Sequence, residues 1–137
     1  MANLQTTEAQ AWLVKSWRDL EMARRAANVA PPLYDMAVYH CQQSAEKAVK
    51  AFLVFHGKAY EKTHDIEVLV DRAKAIEATF DLLADAADAL TPYATRFRYP
   101  NATFAVEPLT AEYHEAEQHA QTIYDFVLNL LPKQAWP

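Results

Sequence analysis

Four polar side chains that could bind an anionic ligand recur along one stretch of the sequence. They lie three, four and three residues apart: His40, Gln43, Lys47 and Lys50. With about 3.6 residues per helical turn, this spacing aligns them in one stripe along a helix. Ammonium and amide groups in such a stripe can contact the phosphates and the polar edges of a nucleotide. The stripe is therefore a candidate binding surface that lines a groove.

The same stretch has a second interpretation that needs no ligand. Gln42, Glu46 and Lys50 occupy successive i,i+4 positions, and a glutamate that precedes a lysine is the favourable order for a surface ion pair. A helix face with this pattern can simply face water. Spacing alone leaves both interpretations open.

A second group of candidates lies near the end of a later helix, where Arg96, Arg98 and Tyr99 follow one another closely. Arginine offers a planar fork that binds phosphate through two hydrogen bonds, and a tyrosine ring can stack on a base. Cations at a helix C-terminus also offset the macrodipole without any ligand. The candidate nucleotide-binding residues from both groups are Gln43, Lys47, Lys50, Arg96, Arg98 and Tyr99.

The histidines and the single cysteine indicate neither a metal site nor covalent chemistry. His114 and His119 lie five residues apart, which is about 140° around a helix and too far for a shared metal. His56 and His64 flank a loop that lacks a cluster of other ligands, and Cys41 falls on an apolar stripe. One glycine in the chain excludes a glycine-rich phosphate loop. We expect no metal, no cofactor and no catalytic residue.

The elements that position these residues are predicted to be helices, so the fold class is all-α. A single glycine argues against a β fold with many tight turns, and residues with high helix propensity dominate the periodic stretches. Pro31 and Pro32 end the first helix, Gly57 suits the end of the second, and Pro92 kinks or restarts the fourth. The apolar spacing predicts helices over about 7–27, 33–56, 63–76, 81–96 and 110–131.

The length of 137 residues predicts one domain, 1–137, with a substantial core. In the first helix the side chains expected to face inward are Leu13, Trp17, Leu20, Ala23 and Ala27. Residues 99–108 are predicted to form a loop, and the final six residues a tail whose Trp136 contacts a neighbour. Trp12, Tyr60 and Trp136 are expected to be exposed aromatics that mark an interface or simply lie on the surface.

The composition limits the partners of the chain and its location. A formal net charge of −5 gives no overall attraction to nucleic acid, so any such contact has to be local. The N-terminus lacks a basic start followed by an apolar run, and no stretch reaches the ~18 apolar residues that span a bilayer. One cysteine allows no internal disulfide. We expect a cytoplasmic protein without a membrane segment.

Five short motifs, taken together and in this order, resemble the HEPN (higher eukaryotes and prokaryotes nucleotide-binding) family. They are WxDLxxA from Trp17, YxxA from Tyr34, QQxAEKAxKA from Gln42, KTHDI from Lys62 and RYP from Arg98. The resemblance covers almost the whole chain. It implies an up-and-down helical bundle of about five helices, usually a homodimer. It also implies a bacterial or archaeal protein encoded beside a minimal nucleotidyltransferase, often as a toxin-antitoxin pair.

Catalytic members of that family are metal-independent ribonucleases, and the resemblance implies where their motif would lie. It is an arginine followed after about four to six residues by a histidine, which must converge as a stabilising charge and a general base. Here fifteen residues separate Arg98 from His114, so the motif is not intact.

The expected function is therefore a nucleotide-binding accessory or partner subunit of a minimal nucleotidyltransferase. Two alternatives remain at this stage. One is a ribonuclease toxin that uses a displaced pair, Arg98 with His114, brought together by the intervening loop. The other is a purely structural, dimeric interaction module in which the polar stripe binds no small molecule.

Overall fold

A computed structural model describes residues 3–60, 62–100 and 107–137, and in these ranges all the regular secondary structure is helical. These residues form five α-helices: α1 (Leu4–Ala27), α2 (Tyr34–Phe55), α3 (Ile66–Lys74), α4 (Ala84–Leu90) and α5 (Thr110–Leu130). They also form three short 3₁₀ helices: Ala78–Leu83, Thr91–Ala94 and Lys133–Ala135. The predicted all-α class is confirmed.

α1 and α2 form a long antiparallel hairpin around the two prolines that end the first helix. The Ser16 hydroxyl donates to the Ser44 carbonyl at 2.7 Å, and at the turn the Leu33 amide donates to the Ala26 carbonyl at 2.9 Å. Ser16 and Ser44 are fully buried, and small residues at such a crossing allow the two helices to approach closely. The hairpin therefore holds the polar side of α2 against α1.

α2 is the central helix of the bundle, because it packs against α1 on one side and against α5 on the other. The apolar stripe that contains Cys41 continues through Ala45, Ala48 and Phe52, which are buried, to Phe55, which is partly buried. The centroids of the Phe52 and Phe80 rings lie 4.6 Å apart. Side chains from α3, α4 and α5 complete one hydrophobic cluster around it. The apolar periodicity of α2 thus predicted its core face correctly.

The second helix ends as the sequence predicted. Gly57 adopts a φ of +67°, and its amide donates to the Val54 carbonyl at 2.9 Å. The Lys58 amide donates to the Leu53 carbonyl, also at 2.9 Å. This pair of bonds is a Schellman motif, in which a left-handed residue satisfies the last free carbonyls of a helix.

The fourth helix is shorter than predicted. The sequence pattern gave one helix over about 81–96, whereas α4 covers only Ala84–Leu90 and has a 3₁₀ helix on each side. Pro92 lies in the second 3₁₀ helix, where its missing donor prevents the α-helical pattern from continuing. Phe97 then adopts a φ of +70°, which ends the helical path before Arg98.

Two predictions about tryptophans were wrong. Trp17 is 47% exposed, because it borders a groove between α1 and α5 and does not reach the core. Trp136 does not lie on a free tail, since its indole N–H donates to the Leu128 carbonyl at 2.9 Å and to the Leu131 carbonyl at 3.1 Å. Gln10 on α1 binds the Trp136 carbonyl at 2.6 Å. The C-terminal residues are therefore packed on the chain itself.

The loop predicted over residues 99–108 lies largely outside the described residues. Within the described ranges, no helix is both long enough and apolar enough to cross a bilayer.

Candidate functional site

The polar stripe of α2 is not an open groove, because neighbouring segments cover most of it. Gln43 is 8% exposed and Lys50 is 7% exposed, whereas the side chains of His40 and Lys47 are each 24% exposed. Charged side chains are seldom this buried unless they are paired. The partners of the stripe therefore decide which of its residues remain available to a ligand.

One set of partners is a cluster formed by Asp19, His40 and Lys47, called the Asp19 cluster below. Asp19 on α1 reaches across the hairpin, with Oδ1 2.9 Å from His40 Nδ1 and Oδ2 2.5 Å from Lys47 Nζ. Burial alone raises the pKa of Asp19, but the hydrogen bonds from His40 and Lys47 outweigh it and lower the pKa below its ordinary value. An ionised Asp19 can only accept, so His40 Nδ1 carries the hydrogen and Nε2 is the other ring nitrogen.

A second set of partners surrounds Glu46, which is 2% exposed. Its Oε1 lies 2.7 Å from His64 Nδ1, and its Oε2 lies 3.6 Å from Lys50 Nζ. The Lys50 ammonium also lies 5.5 Å from the Trp12 ring and 5.1 Å from the Tyr60 ring, both within cation–π range. This group of side chains, called the Glu46 cluster below, holds Lys50 between aromatic rings.

The Glu46 cluster corrects two expectations. The ion pair between Glu46 and Lys50 exists, but it is buried and is not the surface pair that the spacing indicated. Trp12 and Tyr60 are half-buried and pack edge to face at 5.5 Å, so they are not exposed aromatics. Both differences have one cause: α1 and the segment before α3 cover this side of α2, which helical periodicity within α2 cannot reveal.

Amide side chains extend this network to the KTHDI motif. Gln42 Nε2 donates to the His64 carbonyl at 2.8 Å, and Gln43 Nε2 donates to Gln42 Oε1 at 2.6 Å. The Asp65 side chain then caps α3 by accepting from the Glu67 amide at 3.0 Å. The start of α3 is thus attached to α2 through polar side chains.

Arg98 extends the Asp19 cluster from the other side. Its guanidinium lies 4.2 Å from the centroid of the Tyr39 ring and 5.5 Å from that of Tyr99. The Tyr39 ring in turn makes an edge contact with the His40 ring at 5.3 Å. Tyr39 thus links Arg98 to the Asp19 cluster, and we call Arg98, Tyr39, His40 and Lys47 the Arg98 surface.

The charge on Arg98 is not neutralised by a neighbour. Arg98 is exposed, and within the described ranges no carboxylate forms an ion pair with it. Arg96 is also exposed and lies 4.8 Å from the Phe97 ring. A stacked guanidinium keeps its hydrogen-bonding edge available, so Arg98 can bind an anion with both nitrogens.

The structure separates the six candidate residues into two groups. Lys47 and Arg98 are linked through Asp19, His40 and Tyr39, and the exposed Arg96 and Tyr99 lie two residues before and one residue after Arg98. Lys50 belongs to the Glu46 cluster, and Gln43 is bonded to Gln42. Two residues at the centre of the site, Asp19 and Tyr39, were not among the candidates. The sequence does show Asp19 beside Leu20 on an amphipathic helix. Its partners His40 and Lys47 lie 21 and 28 residues away, so spacing within that helix could not identify them.

Among the described residues, no three His, Cys, Asp or Glu side chains are grouped to hold a metal ion. Burial raises the pKa of the Cys41 thiol to about 12, so the thiolate that a nucleophile requires is not formed near neutral pH.

The family follows from comparison with known proteins. The HEPN domain family matches residues 9–130 of the chain. The chain belongs to the HEPN family. No curated protein sequence matches it.

Two solved structures are similar to this HEPN protein over almost their whole lengths. ST0689, described as an archaeal HEPN homologue, is 28% identical with a TM-score of 0.70, over 89% of this chain and 96% of that one. TT1696 from Thermus thermophilus is 28% identical with a TM-score of 0.74, over 91% of this chain and 99% of that one. The predicted family and bundle fold are confirmed.

Within this HEPN fold, much of the QQxAEKAxKA motif has a structural role. Gln42, Glu46 and Lys50 connect α2 to its neighbours through the Glu46 cluster. Lys47 and Arg98, from the QQxAEKAxKA and RYP motifs, remain on the accessible surface. Among the candidate residues that the structure describes, those of the Arg98 surface remain accessible.

Proposed function

We propose that this HEPN protein binds a nucleotide at the Arg98 surface and serves as the accessory subunit of a minimal nucleotidyltransferase. One observation carries the proposal: Arg98 is stacked on Tyr39, whose ring also contacts His40 of the Asp19 cluster, and has no carboxylate partner among the described residues. A guanidinium that is held in place yet not neutralised is suited to a phosphate group.

The surroundings of Arg98 support a nucleotide as the ligand. Tyr99 is 63% exposed, so its ring has a free face for a base, and base stacking on an aromatic ring contributes about 1–3 kcal/mol. Arg96 is a second exposed cation two residues away. We assign direct contact to Arg96, Arg98, Tyr99 and Lys47. Gln43 and Lys50 support the helix behind them.

The role as an accessory subunit rests on the HEPN family and on the sequence, in which fifteen residues separate Arg98 from His114. An accessory subunit presents or holds a nucleotide while the partner carries out the transfer. The homodimer and the toxin-antitoxin context belong to the same proposal. A pulldown with the nucleotidyltransferase encoded next to this chain, where one exists, tests the partnership directly. Failure of the two proteins to associate argues for an interaction module with a different partner.

A ribonuclease function is the main competing proposal. The contacts of Arg98 lead through Tyr39 to His40, and the described ring contact of His114 is with its neighbour Tyr113. These contacts favour an anion-binding role for Arg98 over a catalytic pair with His114. If the chain cleaves RNA and His114→Ala abolishes the cleavage, the ribonuclease proposal replaces the one made here.

Calorimetric titration with AMP and ATP tests nucleotide binding. Because a hydrogen bond to a charged group contributes about 1.5–3 kcal/mol, Arg98→Ala should weaken binding by about 10- to 100-fold, and the double variant with Lys47→Ala further. Lys133→Ala is the matched control, since Lys133 is an exposed cation in the C-terminal 3₁₀ helix. Equal affinities of the wild type and the double variant would reject the site.

A further inference from the structure

We propose that His40 recognises the terminal phosphate of the bound nucleotide and that Asp19 is the positioning residue that orients it. The inference rests on the proposed nucleotide site and specifies its ligand class: nucleotides with a free phosphate monoester, as opposed to the internal phosphodiesters of RNA.

The orientation of His40 is fixed by the Asp19 cluster. The 2.9 Å contact between Nδ1 and Asp19 Oδ1 uses one ring nitrogen and sets the plane of the ring. The second oxygen of Asp19 is bound by Lys47 at 2.5 Å, so the carboxylate itself is held from both sides. A carboxylate that orients an imidazole in this way leaves Nε2 as the nitrogen that can contact a ligand. No described residue makes a hydrogen bond to that atom.

His40 and Arg98 border the same aromatic ring, so they can approach one phosphate together. The Arg98 guanidinium lies 4.2 Å from the Tyr39 centroid, and the His40 ring lies 5.3 Å from it. The charged groups that these contacts place around His40 and Tyr39 are Asp19 from α1, Lys47 from α2 on the same carboxylate, and Arg98 from the segment after α4 on the Tyr39 ring. Two of these are cations and one is an anion, so the surface is cationic even with a neutral His40.

The charge of the ligand determines the preference. A phosphate monoester carries about −1.5 to −2 near neutral pH, because its second pKa is about 6, whereas an internal diester carries one charge. With Nδ1–H bonded to Asp19, the lone pair on His40 Nε2 can accept a hydrogen bond from the P–OH of a monoester monoanion, which an internal diester lacks. An internal diester also offers two non-bridging oxygens, instead of three, to the guanidinium of Arg98.

The test uses three adenine ligands and two variants of His40. Adenosine lacks phosphate, AMP has a terminal phosphate, and the dinucleoside monophosphate ApA has only an internal diester. In His40→Asn the amide nitrogen can keep the bond to Asp19 but nothing replaces Nε2, whereas the His40→Gln amide can reach the position of Nε2. Circular dichroism and the thermal midpoint of each variant establish that it is folded.

We expect the wild type to prefer AMP to ApA by about tenfold or more, as one charge-assisted hydrogen bond would give. His40→Asn should abolish this preference, chiefly by lowering the affinity for AMP towards that for ApA, and His40→Gln should restore part of it. An unchanged preference in His40→Asn, with binding still dependent on Arg98, overturns this inference and leaves the nucleotide site intact. A wild type that binds none of the three ligands overturns both proposals.

Discussion

At the scale of single residues, two carboxylates organise the polar side of α2. Asp19 binds His40 and Lys47, and Glu46 binds Lys50 and His64. Each carboxylate bonds to two cationic or potentially cationic groups, which satisfies both of its oxygens in a place with little water. The two clusters differ in their surroundings: the Asp19 cluster is linked to the exposed Arg98, whereas in the Glu46 cluster Lys50 lies against the Trp12 and Tyr60 rings and the His64 side chain is 70% exposed.

The lowered pKa of Asp19 predicts a specific dependence of stability on pH. Because the folded-state pKa is below the unfolded value, the stabilisation is complete above the ordinary aspartate pKa of about 3.9 and is lost as the pH falls through the folded-state value. Asp19→Asn should therefore lower the free energy of unfolding by about 2 kcal/mol at pH 7. The difference from the wild type should shrink below about pH 4.

Urea unfolding at pH 7, 5, 4 and 3 measures this difference. Asp85→Asn is the control, because Asp85 is exposed in the first turn of α4 and should show a small, nearly constant effect. An Asp19→Asn effect of the same size at every pH would mean that the ionised carboxylate does not contribute through the Asp19 cluster.

At the scale of elements, the sequence predicted what depends on neighbours along the chain. Apolar periodicity located the long helices, and Gly57 marked the end of α2, because both signals act within a few residues. The burial of Lys50 was not predictable in this way, since its partners Trp12 and Tyr60 come from other segments. The exposed Trp17 was missed for the same reason: its environment depends on how α1 and α5 pack.

In the candidate site too, local features were predictable from the sequence and contacts between distant segments were not. The basic and aromatic character of residues 96–99 was evident from the sequence, but the contact between Arg98 and Tyr39 joins positions 59 residues apart. Asp19 was part of the motif that suggested the family. Its contacts with His40 and Lys47, however, depend on how α1 and α2 are aligned in the hairpin. Spacing within one helix therefore predicted which polar residues share a face. Tertiary structure decided which of them remained accessible to a ligand.

The connection between α2 and its neighbours through Glu46 leads to a prediction about stability. Glu46→Gln should lower the free energy of unfolding by about 3–5 kcal/mol, because it leaves Lys50 buried without its charge partner. Asp81→Asn is the matched control: it breaks the exposed pair between Lys74 and Asp81, and should cost less than about 1 kcal/mol. Chemical denaturation measures both variants.

The Glu46 variant also separates the two interpretations of the polar stripe. If Lys50 is structural, Lys50→Met together with Glu46→Gln should recover much of the lost stability, because it removes the unpaired charge. The double variant should still bind AMP if the ligand contacts only the Arg98 surface. Loss of AMP binding in a stable double variant would return Lys50 to the ligand site.

At the scale of the whole molecule, an apolar patch lies beside the candidate site. Met22, Val29, Leu33 and Met36 are each 45–49% exposed around the α1–α2 turn. Met22 is three residues after Asp19 and Met36 is four residues before His40, so helical spacing places both on the side of the Asp19 cluster. An exposed patch of this kind is typical of a surface that contacts another protein.

This patch gives the homodimer a testable position. Sedimentation equilibrium should give a mass about twice the 15.6 kDa of one chain, and Met36→Asp should give a monomer, because a carboxylate in an apolar interface loses its hydration. Leu82→Asp is the control, since Leu82 is 78% exposed in the 3₁₀ helix Ala78–Leu83 and should not alter the mass. A monomer at every wild-type concentration rejects the homodimer. A dimer that survives Met36→Asp shows that the two copies meet elsewhere, and the patch beside the candidate site is then available to the proposed nucleotidyltransferase partner.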